Sequence, residues 1–241
     1  MNEQLDVLAI GAHPDDIEIA CGGTVALLVK QGLRVGFLHL TRGEMGTRGT
    51  AEERQLEAEG GAAALGVTSV QYLDCGDGGL RTTAAEEDAL IAVLRGRRPE
   101  LILGPAPSDR HPDHGRAHML VRDACFYAGL ARRGEGEAHR PAAVYSYMQH
   151  DPFTPSFVID VSAVWDVKMS SLAAYQSQLF QEGKNRTEPA TKVASRAYKE
   201  AIVGRARHFG LMIGAEFGEP FWSRQPVSVE SPWSLLGKKL R

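Results

Sequence analysis

The chain has 241 residues and a formal net charge of −3, with 43% apolar and 24% charged residues. That is enough for one well-filled α/β domain and short for two, and its scattered basic residues give no reason to expect nucleic acid or a membrane surface as partner. Cys21, Cys75 and Cys125 have no paired spacing, which argues against a disulfide framework and for a reducing cytoplasm; the start of the chain does not read as a signal peptide, and no apolar run approaches the ~20 residues needed to cross a bilayer.

Leu5 to Gly11 is a β-rich run ending in glycine, a buried first strand. A helix follows from Gly22 or Gly23 to Gln31, with Val25, Leu28 and Val29 on one face and Gly32 as its stop. Val35 to Leu40 is the second strand. It opens into a polar loop, Thr41 to Thr50, whose last residue caps a helix with Glu53 as capping-box partner. That helix ends at Gly66. Val70 to Leu73 is a short strand, Ala84 to Leu94 a helix, and Leu101 to Leu103 a strand. Strands alternating with helices at this spacing predict a mostly parallel sheet with helices on both faces, a single α/β domain. Val144 to Met148 and Phe157 to Val161 read as further strands, and Val164 to Gln178 and Lys192 to Phe209 as helices. The domain is expected to occupy residues 1–225, with 226–241 as a C-terminal extension.

Two histidine-aspartate clusters stand at strand ends: His13-Pro14-Asp15-Asp16 after the first strand and His111-Pro112-Asp113-His114 after the Leu101 strand. Ligands of open parallel sheets bind beyond the carboxyl ends of strands. Imidazole nitrogen and carboxylate oxygen are zinc donors, and catalytic zinc uses three protein ligands with the fourth position left to water. His13 and Asp16 can meet one ion if the chain turns after the strand. His114 and His111 are candidates for the third ligand, and His118, four residues after His114, is read as a non-ligand. Asp15 beside Asp16 is a free carboxylate suited to general-base work. Asp113 is placed to hold the His111 imidazole, favouring an imidazolium that would stabilise an oxyanion. The blander alternative is a pair of solvated turns, with Asp113 as a helix cap.

These clusters, with Cys21-Gly22-Gly23-Thr24, Thr41-Arg42-Gly43-Glu44-x-Gly46, Arg54, and Leu65-Gly66, resemble the zinc-dependent N-acetylglucosamine de-N-acetylases over at least residues 6 to 130. Thr47-Arg48-Gly49-Thr50, Tyr147 to His150 and the run Ile213 to Phe221 look most like one branch, the bacillithiol-pathway deacetylases of N-acetylglucosaminyl-malate. The broad family often carries an acid directly after the two aspartates. Here Ile17 stands there and Glu18 follows, a change this branch tolerates, with no role assigned to Glu18. The resemblance implies His13, Asp16 and His114 as zinc ligands, Asp15 as general base and His111, paired with Asp113, as oxyanion-stabilising acid. It implies a Rossmann-like fold, a homo-oligomer, hexamers being known in this branch, and a small N-acetylated sugar conjugate as substrate. Iron(II) also suits a two-nitrogen, one-carboxylate shell.

A malate-bearing substrate carries carboxylates, which guanidinium groups bind in bidentate fashion. Arg48, Arg54 and Arg110 are the candidates, and the resemblance adds Gln149 and Tyr198. One rival is a family deacetylase or amidase acting on another sugar or thiol-sugar conjugate. A second, a nucleotide-binding α/β module, lacks both the Gly-x-Gly-x-x-Gly and the Gly-x-x-x-x-Gly-Lys-Ser/Thr loops.

Overall fold

The computed structural model describes residues 4–182, 189–229 and 231. Five strands, β1 (Val7–Gly11), β2 (Val35–His39), β3 (Ser69–Tyr72), β4 (Leu101–Pro105) and β5 (Ala143–Tyr147), are parallel. β7 (Gly218–Ser223) runs antiparallel between β5 and β6 (Phe157–Asp160). The sheet order is β3-β2-β1-β4-β5-β7-β6. The chain leaves β1 for β2 on one side and reaches β4 on the other, so the strand order reverses between β1 and β4. At such a switch point the loops diverge and open a crevice.

β1 alternates between two cores. Val7 and Ala9 pack toward α1 (Asp16–Lys30), α2 (Ala51–Leu65), α5 (Trp165–Ala173) and α6 (Arg196–Met212). Leu8 and Ile10 pack toward α3 (Ala84–Arg97) and α4 (Pro112–Ala128). A strand covered on both faces reads as a continuous apolar run, as Val7 to Ile10 does. Thr50 and Thr83 each form a full capping box, with Glu53 and Glu86.

Several boundaries differ from the sequence expectation. α1 begins at Asp16, not at Gly22 or Gly23. Residues 16–26 are all buried, so this turn lacks the one-sided pattern from which helices are read. The helix is kinked at Cys21 (φ −139°, ψ 21°). α5 is shorter than expected, preceded by a 3₁₀ turn at Ser162–Val164. The chain then leaves the helix because Ser177 is captured by Glu57 and Gln178 by the Arg48 carbonyl. α6 starts at Arg196 behind the Ser195 cap. β7 contains Pro220, a residue that demotes a strand reading, and it pairs with Val158 nonetheless. Most of the expected C-terminal extension, residues 230 and 232–241, lies outside the described residues.

Candidate metal and active site

The crevice at the switch point holds both clusters. Gly11 ends β1 where an added Cβ would meet the His13 carbonyl at 3.1 Å and Asp16 Cβ at 3.2 Å. The turn that follows is closed by the His13 N–H donating to Asp16 Oδ2 at 2.8 Å. Asp15 sits at φ 101°, ψ −24°. That left-handed backbone in a non-glycine residue costs on the order of 1–3 kcal/mol, a strain concentrated at functional sites. It sets the Asp15 and Asp16 side chains in different directions.

His13 and His114 come together with ring centroids 5.5 Å apart. Each turns one nitrogen toward Asp16: His13 Nδ1 lies 3.5 Å from Oδ2, and His114 Nε2 lies 3.3 Å from Oδ1. Each is held at its other nitrogen by a different carboxylate. His13 Nε2 is 3.0 Å from Asp77 Oδ1 and 3.3 Å from Asp113 Oδ2, and His114 Nδ1 is 3.2 Å from Asp109 Oδ1. A carboxylate behind an imidazole fixes its tautomer and raises its basicity toward a metal. Gln149 Nε2 donates to Asp16 Oδ1.

Burial opposes the charge on Asp16, yet the His114 and His13 imidazoles hold its carboxyl well below the usual range. The same balance, burial against histidine contacts, leaves Asp77 and Asp109 at about 2. Burial, reinforced by neighbouring Asp16, pushes Asp15 up to about 7 against the pull of Arg54, His13 and His114. So many ionised carboxylates around imidazoles suit a bound cation. Three overlapping groups could hold one, His13–His111–His114, Asp109–His114–His150 and His13–Asp77–Asp113, their ligand atoms within 4.8 Å of one another in each. Asp16 belongs to none of these; its two oxygens face one ring each.

His111 caps α4, its Nδ1 accepting the Asp113 N–H at 3.2 Å. The expectation that the Asp113 carboxylate holds the His111 ring is corrected here. That carboxylate turns instead to His13 and accepts the Gly78 N–H at 2.7 Å. Nor is the imidazolium favoured: burial and the nearby His13 and His114 lower the His111 pKa. With Nδ1 accepting, Nε2 of the neutral ring carries the proton.

Asp15, His13, Asp16, His111, His114, Arg54, Arg110, Gln149 and Tyr198 all line one cavity of about 340 Å³, and Arg48 does not. Arg54 is buried and spends its guanidinium on the Gly43 and Pro14 carbonyls (2.8 and 2.7 Å), approaching Asp15 Oδ2 at 3.8 Å. Arg110 is exposed at the cavity wall. Tyr198 Oη lies 3.2 Å from His150 Nδ1, and His150 stacks on His114 (5.6 Å, 6°). His118 faces away, its Nδ1 3.0 Å from the Pro105 carbonyl. Glu18 also faces away, accepting from Tyr175 Oη at 2.7 Å, and burial pushes its pKa up to about 8. Asp77, Asp109 and His150 went unassigned from sequence. Asp77 and Asp109 are isolated acids in loops, marked only by lying after the β3 and β4 strand ends.

Residues 8–125 match the model of the PIG-L family, GlcNAc-PI de-N-acetylase. The diacetylchitobiose deacetylase of Thermococcus kodakarensis is 32% identical, over 90% of this chain and 82% of that one. The chain belongs to the PIG-L family. The conserved protein TT1542 of Thermus thermophilus superposes with a TM-score of 0.86 at 37% identity, covering 95% of this chain and 99% of its own. The 4-oxalmesaconate hydratase of Pseudomonas putida is 28% identical, over 73% of this chain and 74% of the relative. The relatives of this chain thus include a hydratase alongside deacetylases, and the chemistry must be argued from the site.

Proposed function

We propose that the chain is a metal-dependent N-deacetylase that hydrolyses the acetamide of an N-acetylglucosamine conjugate. His13, Asp16 and His114 hold the metal, zinc in the first instance and iron(II) as the alternative their donor set allows. The observation that carries the reading is the shared arrangement of His13 and His114, one nitrogen of each toward Asp16 and the other backed by a carboxylate. Bound there, the ion would polarise the acetamide carbonyl and acidify a water molecule.

The protein's own groups supply the rest. Asp15 lines the pocket with no hydrogen-bonding partner for its side chain among the described residues, so its carboxylate is available to accept a proton from the attacking water. His111 presents Nε2–H to the oxyanion as the tetrahedral centre forms. Asp15 returns its proton to the nitrogen as the C–N bond breaks, releasing acetate and a free amine. Arg54, tied to Pro14 and Gly43, holds the loop that carries Asp15.

For the substrate, Arg110 is the exposed cation on the wall, set to meet a carboxylate on the aglycone. That favours N-acetylglucosaminyl-malate, as the sequence resemblance implies. Diacetylchitobiose, named in the Thermococcus relative, is the rival. Acetate release from the metal-loaded chain should follow the order N-acetylglucosaminyl-malate, diacetylchitobiose, N-acetylglucosamine, and Arg110→Gln should weaken only the first. A preference for diacetylchitobiose untouched by Arg110→Gln would replace the bacillithiol-type substrate; no acetate from any of the three would remove the deacetylase reading. A cytoplasmic homo-oligomer, a hexamer as in the resembled branch, belongs to the same reading, and sedimentation velocity tests the assembly.

A further inference from the structure

A second cavity, of about 520 Å³, opens between α4, the β4–β5–β7 part of the sheet and the segment that follows β7. None of the residues assigned to the reaction lines it. Its charge differs from the catalytic pocket's. The catalytic pocket sets Asp15, Asp16 and Asp77 beside Arg54 and Arg110, whereas this cavity is lined by Arg122, Arg140 and Arg224 and by no carboxylate side chain.

Its polar groups have bonding capacity left over. Arg224 makes no hydrogen bond or ion pair among the described residues. Arg122 engages Asp123 through Nε at 2.7 Å, which leaves its terminal nitrogens. Arg140 donates to the Phe126 carbonyl and lies over that ring. His118 turns Nδ1 to the Pro105 carbonyl (3.0 Å) and stands 3.3 Å from Ser146 Oγ. Its Nε2 is then an acceptor with no protein partner among the described residues. Trp222 meets the His118 ring edge-on at 5.9 Å.

We propose that this cavity is a second binding site, for a small planar organic anion: its acidic group between Arg224 and Arg122, its ring against Trp222, and an N–H or O–H donated to His118 Nε2. The volume is in the range that encloses such a molecule. Charge selects this occupant over the alternatives. Beyond Val229 the sequence carries Lys238, Lys239 and Arg241 against a single acidic side chain, Glu230, a net positive charge and the wrong sign for an arginine-lined cavity. A second copy docked through the same face would set arginines against arginines.

The test is calorimetric titration of the metal-loaded chain with 1-naphthoate and with its uncharged counterpart, 1-naphthalenemethanol. The naphthoate should bind once per chain, about tenfold or more tighter than the alcohol, a margin one charge-assisted contact supplies. It should quench tryptophan fluorescence in the parent and not in Trp222→Phe. The double substitution Arg122→Gln/Arg224→Gln should abolish the preference while metal content and unfolding temperature stay those of the parent. Equal binding of the two probes would reduce the cavity to an apolar surface, and unchanged binding by the double variant would put the anion elsewhere. Absence of saturable naphthoate binding overturns the proposal. So does concentration-dependent self-association that Trp222→Glu abolishes, since a second copy would then cover the face.

Discussion

At the scale of single residues, His13 and His114 behave as a pair, and what distinguishes them from the other histidines is the acid behind each ring. Asp109 accepts the His150 and His111 backbone N–H groups (3.0 and 3.2 Å) as well as facing His114. It therefore fixes both the ring and the two loops around it. Asp109→Ala should lower zinc affinity by about 10- to 100-fold, the usual cost of removing such a partner, and should also cost about 1–3 kcal/mol of stability for the donors it leaves unpaired. Competition with a chromophoric chelator measures it, and parent-like affinity would mean that Asp109 does not orient His114. His111→Ala should reduce turnover far more than metal content; loss of the metal instead would make His111 a ligand. The paired clusters were legible in sequence because proline and aspartate after a β-run are a dense local signal. The partner of Asp113 was not. Two residues separate Asp113 from His111, but on the first turn of α4 its carboxylate points across the crevice to His13, a direction that chain spacing does not encode. Arg54 was expected to meet a substrate carboxylate, yet its hydrogen bonds go to carbonyls of loops that only the fold brings near.

At the scale of elements, the first turn of α1 is held by a splint across its kink. Glu219 on β7 accepts from the Gly23 and Thr24 N–H groups (2.9 and 2.7 Å) and from Thr24 Oγ1. Lys168 on α5 bonds Glu219 at 2.5 Å and the Ile19 carbonyl at 3.1 Å. The backbone groups at the kink are thus satisfied by this buried ion pair together with Arg205 Nη2, a second donor to the Ile19 carbonyl at 3.2 Å. Glu219→Ala strands a buried ammonium and should cost about 3–5 kcal/mol, while replacing both partners by apolar residues should cost less. Urea unfolding of the single and double variants decides this, and an additive loss would deny the coupling. β2 ends at His39, which is fully buried, and burial lowers its pKa to about 4. Its folded-state pKa lies below the unfolded ~6.5, so the unfolded chain binds the extra proton between those values. The stability His39 contributes is whole above pH ~6.5 and is lost as pH falls toward ~4. The urea midpoint should fall more steeply over that window in the parent than in His39→Asn, and equal slopes would contradict the assignment. The parallel half of the sheet was readable from alternating strands and helices. The start of α1 and strand β7 were not, the former because a helix turn buried all round has no polar face, the latter because a strand with proline and glutamate is defined by its pairing with β5 and β6.

At the scale of the whole molecule, the architecture puts two loops from distant parts of the chain at one switch point, and the catalytic reading follows from that meeting. The same sheet carries an acidic pocket in one place and an arginine-lined cavity in another. Three other groups in the same crevice have spacing suited to a metal ion. Crystals of zinc-loaded protein, with anomalous diffraction measured on both sides of the zinc edge, decide among them. The account predicts one peak per chain, about 2.0–2.2 Å from a nitrogen of His13, a nitrogen of His114 and an oxygen of Asp16. A peak held by Asp109, His114 and His150, or by His13, Asp77 and Asp113, with Asp16 left out, would contradict it.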